Sequence, residues 1–436
     1  MRPQGGGSAV APVVVLGLLL SCAGPAAALE LDWSVGSGIE LTDNASRSAD
    51  GGEAEQIGVL WAGLEVQEDT PMLQMGLTSL LQYRDYQQQT FDDHTLFALS
   101  AQFTASLIPR RLHWRVEDYF RQIRVDDLSP LTPDNRQDIN VFWTGPDLFF
   151  RFGPSTELQL GGRFGHHYYQ EVAGDNIRLA GSAALTRRLT TRMDGSLNSE
   201  VLRVEYEDAN LFNDFTRYDG FAGLDLAFRH SDLTLELGAS HIERSGAADL
   251  QGALAALRLT RRLPRGNSAG VAYRQHYSES GATLLAAGDD PLLIDLVTTV
   301  VPRDIAYIRR AELYHVRARG GLYSRLLMHW RDEEFEVGDL DRIAFGGRLD
   351  LGYALTAMWS GGAYLSYRRS DYRRLERQDD DWLLGAHIEY RFTRHAVASL
   401  GYAHDTRNSS LPAADYRENV VLLGLRYGER PSTLPR

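Results

Sequence analysis

Apolar residues recur at every second position along most of this chain, and that period calls for strands. Leu31, Trp33, Val35, Ile39 and Leu41 alternate with Asp32, Ser34, Gly36, Gly38 and Glu40. A helix would scatter the apolar set around its circumference, whereas a strand gathers it on one face. The pattern returns repeatedly. Leu73, Met75, Leu77, Leu81 and Tyr83 oppose Gln74, Thr78, Gln82 and Arg84. Leu112, Trp114, Val116 and Phe120 oppose His113, Arg115, Glu117, Tyr119 and Arg121. Near the end, Trp382, Leu384, Ala386, Ile388, Tyr390 and Phe392 oppose Asp381, Gly385, His387, Glu389 and Arg391.

Such long apolar faces backed by so many charges do not fit one soluble sandwich. A polar lumen inside a lipid-facing exterior satisfies both faces, and closing the sheet removes edges that lipid cannot satisfy. Mean hydropathy is −0.30, a value that only every second residue meeting lipid reconciles with a membrane protein. Short turns, such as Pro109 to Arg111 and Arg319 to Gly321, alternate with longer polar stretches, such as Asn44 to Glu55 and Asp126 to Asp138. The reading is all-β: a transmembrane antiparallel up-and-down β-barrel of outer-membrane type, with about 18–20 strands over residues 29–427 and a short tail, 428–436. Acidic groups such as Asp289-Asp290 and Asp379-Asp380-Asp381 are assigned to outer loops, where divalent cations could bridge them unspecifically.

The first residues carry the export expectation. Arg2, the apolar run Val10 to Leu20 and the small residues Ala26-Ala27-Ala28 read as a signal peptide over 1–28. The alternative is a lipoprotein box at Leu19-Leu20-Ser21-Cys22. Cys22 is the only cysteine, so cleavage after Ala28 excludes disulfides, thiol nucleophiles and cysteine metal sites. The formal charge is −13 and every basic residue is arginine; without a basic tract the chain is not a nucleic-acid binder. Val421, Leu423, Leu425 and Tyr427 alternate into a near-terminal aromatic, as in the signal read by the outer-membrane insertion machinery. The expected surroundings are outer-membrane lipid and lipopolysaccharide.

The stretch Val116 to Arg163, VEDYFRQIRVDDLSPLTPDNRQDINVFWTGPDLFFRFGPSTELQLGGR, together with Thr42-Asp43-Asn44, resembles the β-barrel porin-like proteins associated with PEP-CTERM and exosortase systems. The resemblance implies a Gram-negative outer-membrane protein tied to exopolysaccharide loci, with polysaccharide or periplasmic export components as partners. It transfers no catalytic residue. Within the motif, the alternation Ile139, Val141, Trp143 changes phase to Leu148, Phe150, Phe152 across Gly145-Pro146, which predicts a β-bulge.

Chemistry is sparse. His166-His167-Tyr168-Tyr169 invites a metal reading, but adjacent strand residues point to opposite faces, and girdle aromatics fit the cluster better. No Gly-x-Ser-x-Gly elbow or Ser–His pair suggests hydrolysis. The chain is therefore expected to be no enzyme, with no cofactor and no metal. The candidate lumen lining is His113, Arg115, Glu117, Tyr119, Arg121, Arg348, Asp350, Arg368, His387, Glu389 and Arg391. This mixture suits a pore or export component for polar solutes or glycans. The alternatives are a general solute porin and a structural barrel closed by internal salt bridges.

Overall fold

The computed structural model describes residues 29–171, 173–208, 213–278 and 305–429. The signal segment with Cys22, the Asp289-Asp290 pair and the tail beyond Glu429 lie outside them. Twenty strands follow one another: β1 Glu30–Thr42, β2 Glu55–Asp69, β3 Leu73–Tyr86, β4 His94–Ile108, β5 Leu112–Arg124, β6 Arg136–Phe152, β7 Thr156–Tyr169, β8 Asn176–Thr190, β9 Met193–Tyr206 and β10 Phe215–Ala227. The second half continues with β11 Ser231–Arg244, β12 Leu250–Leu263, β13 Asn267–Ser278, β14 Ala306–Arg319, β15 Leu322–Phe335, β16 Arg342–Ala354, β17 Trp359–Tyr372, β18 Arg377–Arg391, β19 Ala396–Ser409 and β20 Tyr416–Gly428.

Each strand pairs antiparallel with its sequence neighbours, and β1 pairs with β20 from Ser34↔Gly428 to Thr42↔Val420, so the sheet closes. Closure leaves the sheet without a free edge, the condition for spanning lipid with strands. Side-chain alternation then has physical meaning. Leu60, Leu237 and Leu425 are 56%, 69% and 58% exposed on the outside, while the residues between them face the lumen. An apolar exterior on a closed barrel, short turns at one end and longer loops at the other, is outer-membrane architecture. The protein is a bacterial outer-membrane barrel; the long-loop end is taken as the outer end.

Three expectations are corrected. Gly145-Pro146 is not a bulge: β5 and β6 stay in one register from Leu112↔Leu148 to Arg124↔Arg136. The phase change is a change of face. Ile139, Val141 and Trp143 point into the lumen and are buried, whereas Phe150 and Phe152 point outward and are exposed. Glycine is needed at 145 because a Cβ there would stand 2.0 Å from the Gly162 carbonyl oxygen. The register shifts that do occur lie beside the short turns, at Ser106/Ile108 and Arg188/Thr190.

Second, Asp379-Asp380-Asp381 is not loop. β18 begins at Arg377 and pairs with β17 through this stretch, so alternation places Asp379 and Asp381 in the lumen and Asp380 outside. The acidic run was mistaken for a loop because charges on a lumen face resemble a solvated turn. Third, the polar stretches Asp332 to Asp341 and Asp405 to Tyr416, which read as loops, are partly strand: β15 runs to Phe335 and β19 to Ser409.

Candidate functional site

The lumen is the only space in which the inward residues meet one another, and register decides which they are. His113, Arg115, Glu117, Tyr119 and Arg121 share the inner face of β5, opposite Asp147, Gly145, Trp143, Val141 and Ile139 of β6. Arg348 and Asp350 on β16, Arg368 on β17, and His387, Glu389 and Arg391 on β18 share that face on another part of the wall. The structure does not bring the eleven together as one cluster. Arg115 reaches Glu117 and Asp147, each at 3.7 Å. Arg348 donates to Asp350 at 2.9 Å and lies over the Tyr364 ring, 5.0 Å from its centroid. Glu389 faces Arg426 at 3.6 Å. His113 packs on Phe149, ring centroids 4.9 Å apart. His166 and His167 point to opposite sides of the wall; His167 alone is inward and buried against Trp143.

Toward the outer end, β15–β20 carry a denser ionic wall, of which the sequence offers Arg368 as a lining residue and Asp381 only as an inward alternate. Asp381 accepts from Arg407 Nε and Arg368 Nη2, both at 2.7 Å. Arg377 grips Asp379 with Nε and Nη2 at 2.8–3.1 Å, while the Ser409 hydroxyl donates to the same carboxylate at 2.6 Å. Glu333, almost fully buried, sits between Arg331 and Arg342. Tyrosine rings separate the guanidinium groups. Tyr372 lies between Arg342 and Arg377 at 5.9 and 5.8 Å, and Tyr416 between Arg407 and Arg47 at 5.6 and 5.5 Å. Planar guanidinium suits both contacts, pairing carboxylates through its fork and stacking on rings. The legible signal was period two running on through Arg377-x-Asp379-x-Asp381.

The β5–β6 loop, residues 125–135, closes in on this wall. Its own fold is set by two side chains. Asn135 accepts from the Asp126 amide at 2.8 Å and donates to the Asp126 and Pro130 carbonyls at 2.8 and 2.9 Å. Asp126 in turn accepts from the Leu128 amide and the Ser129 hydroxyl. So shaped, the loop offers its carbonyls to the opposite wall: Leu128 O accepts from Arg377 Nη2 at 2.7 Å and Leu131 O from Arg47 Nη1 at 3.3 Å. Arg47 is itself fixed by Glu418 at 2.8 Å and Asp405 at 3.1 Å. Burial pushes the Asp127 carboxyl up to about 6, against the pull of Arg342 and Arg124.

The other inner wall holds an apolar cluster among its polar residues. Ile139, Val141, Leu202, Val204, Phe215 and Ile242, from β6, β9, β10 and β11, belong to one buried cluster with Tyr119 and Trp143. Between the two walls, a cavity of about 400 Å³ is lined by Arg258, Arg274, Arg310 and Arg331 against Glu236 and Glu312, among other residues. The arrangement positions charge and rings along the inner face. Among the described residues no group of three His, Cys, Asp or Glu could hold a metal ion.

Comparison with known proteins follows the fold. The family model described as Putative beta-barrel porin 2 matches residues 344–428, from β16 to the end of β20. No curated protein matches. Among solved structures, the siderophore receptor PirA from Pseudomonas aeruginosa is similar at 10% identity and a TM-score of 0.48, covering 93% of this chain and 81% of that one. OccK2 (OpdF) of the same organism is similar at 10% identity and 0.39, covering 92% and 98%. OccK3 (OpdO), also from Pseudomonas aeruginosa, is similar at 14% identity and 0.38, covering 92% and 96%. The closed barrel and its lipid-facing exterior make this chain an outer-membrane β-barrel, similar over residues 344–428 to the putative beta-barrel porin 2 family.

Proposed function

We propose that the barrel is a passive pore or export component for polar, hydroxyl-rich solutes, serving exopolysaccharide secretion and performing no turnover chemistry. One observation carries the reading: guanidinium groups, carboxylates and tyrosine rings alternate along a single inner face from β15 to β20. Sugars present hydroxyls to charged hydrogen-bonding partners and apolar ring faces to aromatics, so this wall offers both kinds of contact along a path. The sequence resemblance to PEP-CTERM and exosortase-associated barrels supports the polysaccharide assignment. In this reading lipopolysaccharide surrounds the loops, the insertion machinery reads β20, and export components meet the short-turn end. Deleting the gene in its host is expected to reduce surface polysaccharide or trap it in the periplasm. Unchanged amount and location would refute the export role.

The anchored β5–β6 loop favours a second reading, a general solute porin narrowed at its mouth. That porin would conduct small ions steadily in planar bilayers and leave polysaccharide untouched when deleted.

A further inference from the structure

The strand register sets arginines against one another on the inner face of β12–β15. Arg274 of β13 stands opposite Arg310 of β14, and Arg310 stands opposite Arg331 of β15. One step along, Arg258 of β12 faces Ala272 of β13, while Arg274 faces Ala256 of β12. The alternate residues Leu259, Val271 and Leu313 are exposed on the outside, which fixes the arginines as inward.

Like charges directly across a ladder repel, so such a row needs compensation. Part of it is present. Arg310 pairs with Glu312 on its own strand, and Arg331 pairs with Glu333. Among the described residues, Arg258 and Arg274 have neither an ion pair nor a hydrogen bond, and both remain exposed to the lumen. Glu236 of β11, opposite Ala256, lines the same cavity of about 400 Å³ and is likewise without a partner among them.

The two alanines open the space. Arg258 and Arg274 lie diagonally across them, about 7–8 Å apart at the backbone, a separation from which two guanidinium forks converge on one carboxylate. Charge balance then chooses the ligand. With Arg310 and Arg331 satisfied, two free cations stand against one free carboxylate, so a single negative charge neutralises the site. A dianion would overshoot and meet Glu236. An ionised carboxylate can only accept, so Glu236 suits a hydroxyl on the same ligand. The cavity volume suits one small molecule.

We propose that this cavity is a binding site for a monoanionic, hydroxylated carboxylate of the uronate or aldonate class. Arg258 and Arg274 take its carboxylate, and Glu236 accepts from its hydroxyls. The inference deepens the reading of the pore by naming the charge class of its solute, and it rests on that reading only for a lumen open to solute.

Calorimetric titration of the full, refolded, heat-modifiable chain in detergent tests it, with galacturonate as the probe and glucose and acetate as controls. Galacturonate is expected to bind at least about tenfold more tightly than either, because it alone engages both arginine forks and Glu236. R258Q/R274Q should weaken galacturonate by at least about tenfold, and Glu236→Ala should narrow its advantage over acetate. Where the double variant lacks the heat-modifiable form, Arg258→Gln and Arg274→Gln are titrated singly. The titration is blind to conduction and export, so unchanged polysaccharide after gene deletion leaves this affinity standing, and a missing affinity leaves the export role standing. No affinity for galacturonate in the folded unaltered chain, equal affinity for acetate, or an affinity indifferent to the arginine substitutions would overturn the proposal.

Discussion

At its outer end the barrel has two inner walls built on the same strand geometry but held by different forces. From β6 to β11 the inward positions include a packed apolar set, Ile139, Val141, Val204 and Ile242, each at most 1% exposed, beside the buried polar Gln137, His167, Asn176 and Arg178. From β15 to β20 they are Glu333, Arg342, Arg368, Asp381 and Arg407, joined by ion pairs and tyrosine stacks. The difference is how each wall responds to loss of a part. Apolar packing loses contacts in proportion to what is removed, whereas a buried charge network left without one partner retains an uncompensated charge.

Substitutions on the two walls sharpen that contrast. The largest effect is expected at Asp381, which neutralises Arg368 and Arg407 together. Asp381→Ala should cost about 3–5 kcal/mol in urea unfolding from vesicles, the usual penalty for orphaning a buried partner, and should also shift ion selectivity. Ile139→Ala on the apolar wall should cost about 2–4 kcal/mol and leave selectivity unchanged. If Ile139→Ala changed selectivity as much as Asp381→Ala, the division of labour between the walls would be wrong.

The loop between the walls gives smaller, local effects. Asn135→Ala removes the side chain that organises residues 126–135, so it should loosen the loop by about 1–2 kcal/mol and raise single-channel conductance. Unaltered conductance would mean that the loop does not narrow the path. Asp127 supplies a pH dependence of the same loop. Its carboxyl is raised by burial from 3.8 to about 6, so the folded state binds the extra proton between those values. The stability it contributes is complete below about 4 and is lost as pH rises through about 6. Acidification from pH 7 to pH 5 should therefore tighten the docked loop and lower conductance, and Asp127→Asn should flatten the response. A conductance that rises on acidification would reverse the sign and refute this assignment.

Much of this was legible in the sequence because period two is a direct print of the strand. The faces of β1, β5 and β18 follow from it, as do the short turns and the opposite directions of His166 and His167. What escaped was whatever period two leaves unspecified. Charge at an inward position looks like a solvated loop, which hid Asp379 and left Asp381 read both ways. Apolar residues at inward positions look like lipid-facing ones, so the phase change across Gly145-Pro146 read as a bulge when it was a change of face. Pairing across hundreds of residues, such as Arg377 with Leu128 and Arg47 with Glu418, depends on closure of the barrel and has no local trace.

The central claim is that polar solutes pass along the β15–β20 wall of an open barrel. Planar-bilayer recording of the refolded, heat-modifiable protein tests it most directly, comparing the unaltered chain with Arg348→Glu. The expected result is a stable conductance whose reversal potential in a salt gradient moves toward cation selectivity in the variant. A correctly folded protein that never conducts, or a selectivity indifferent to Arg348→Glu, would contradict the account.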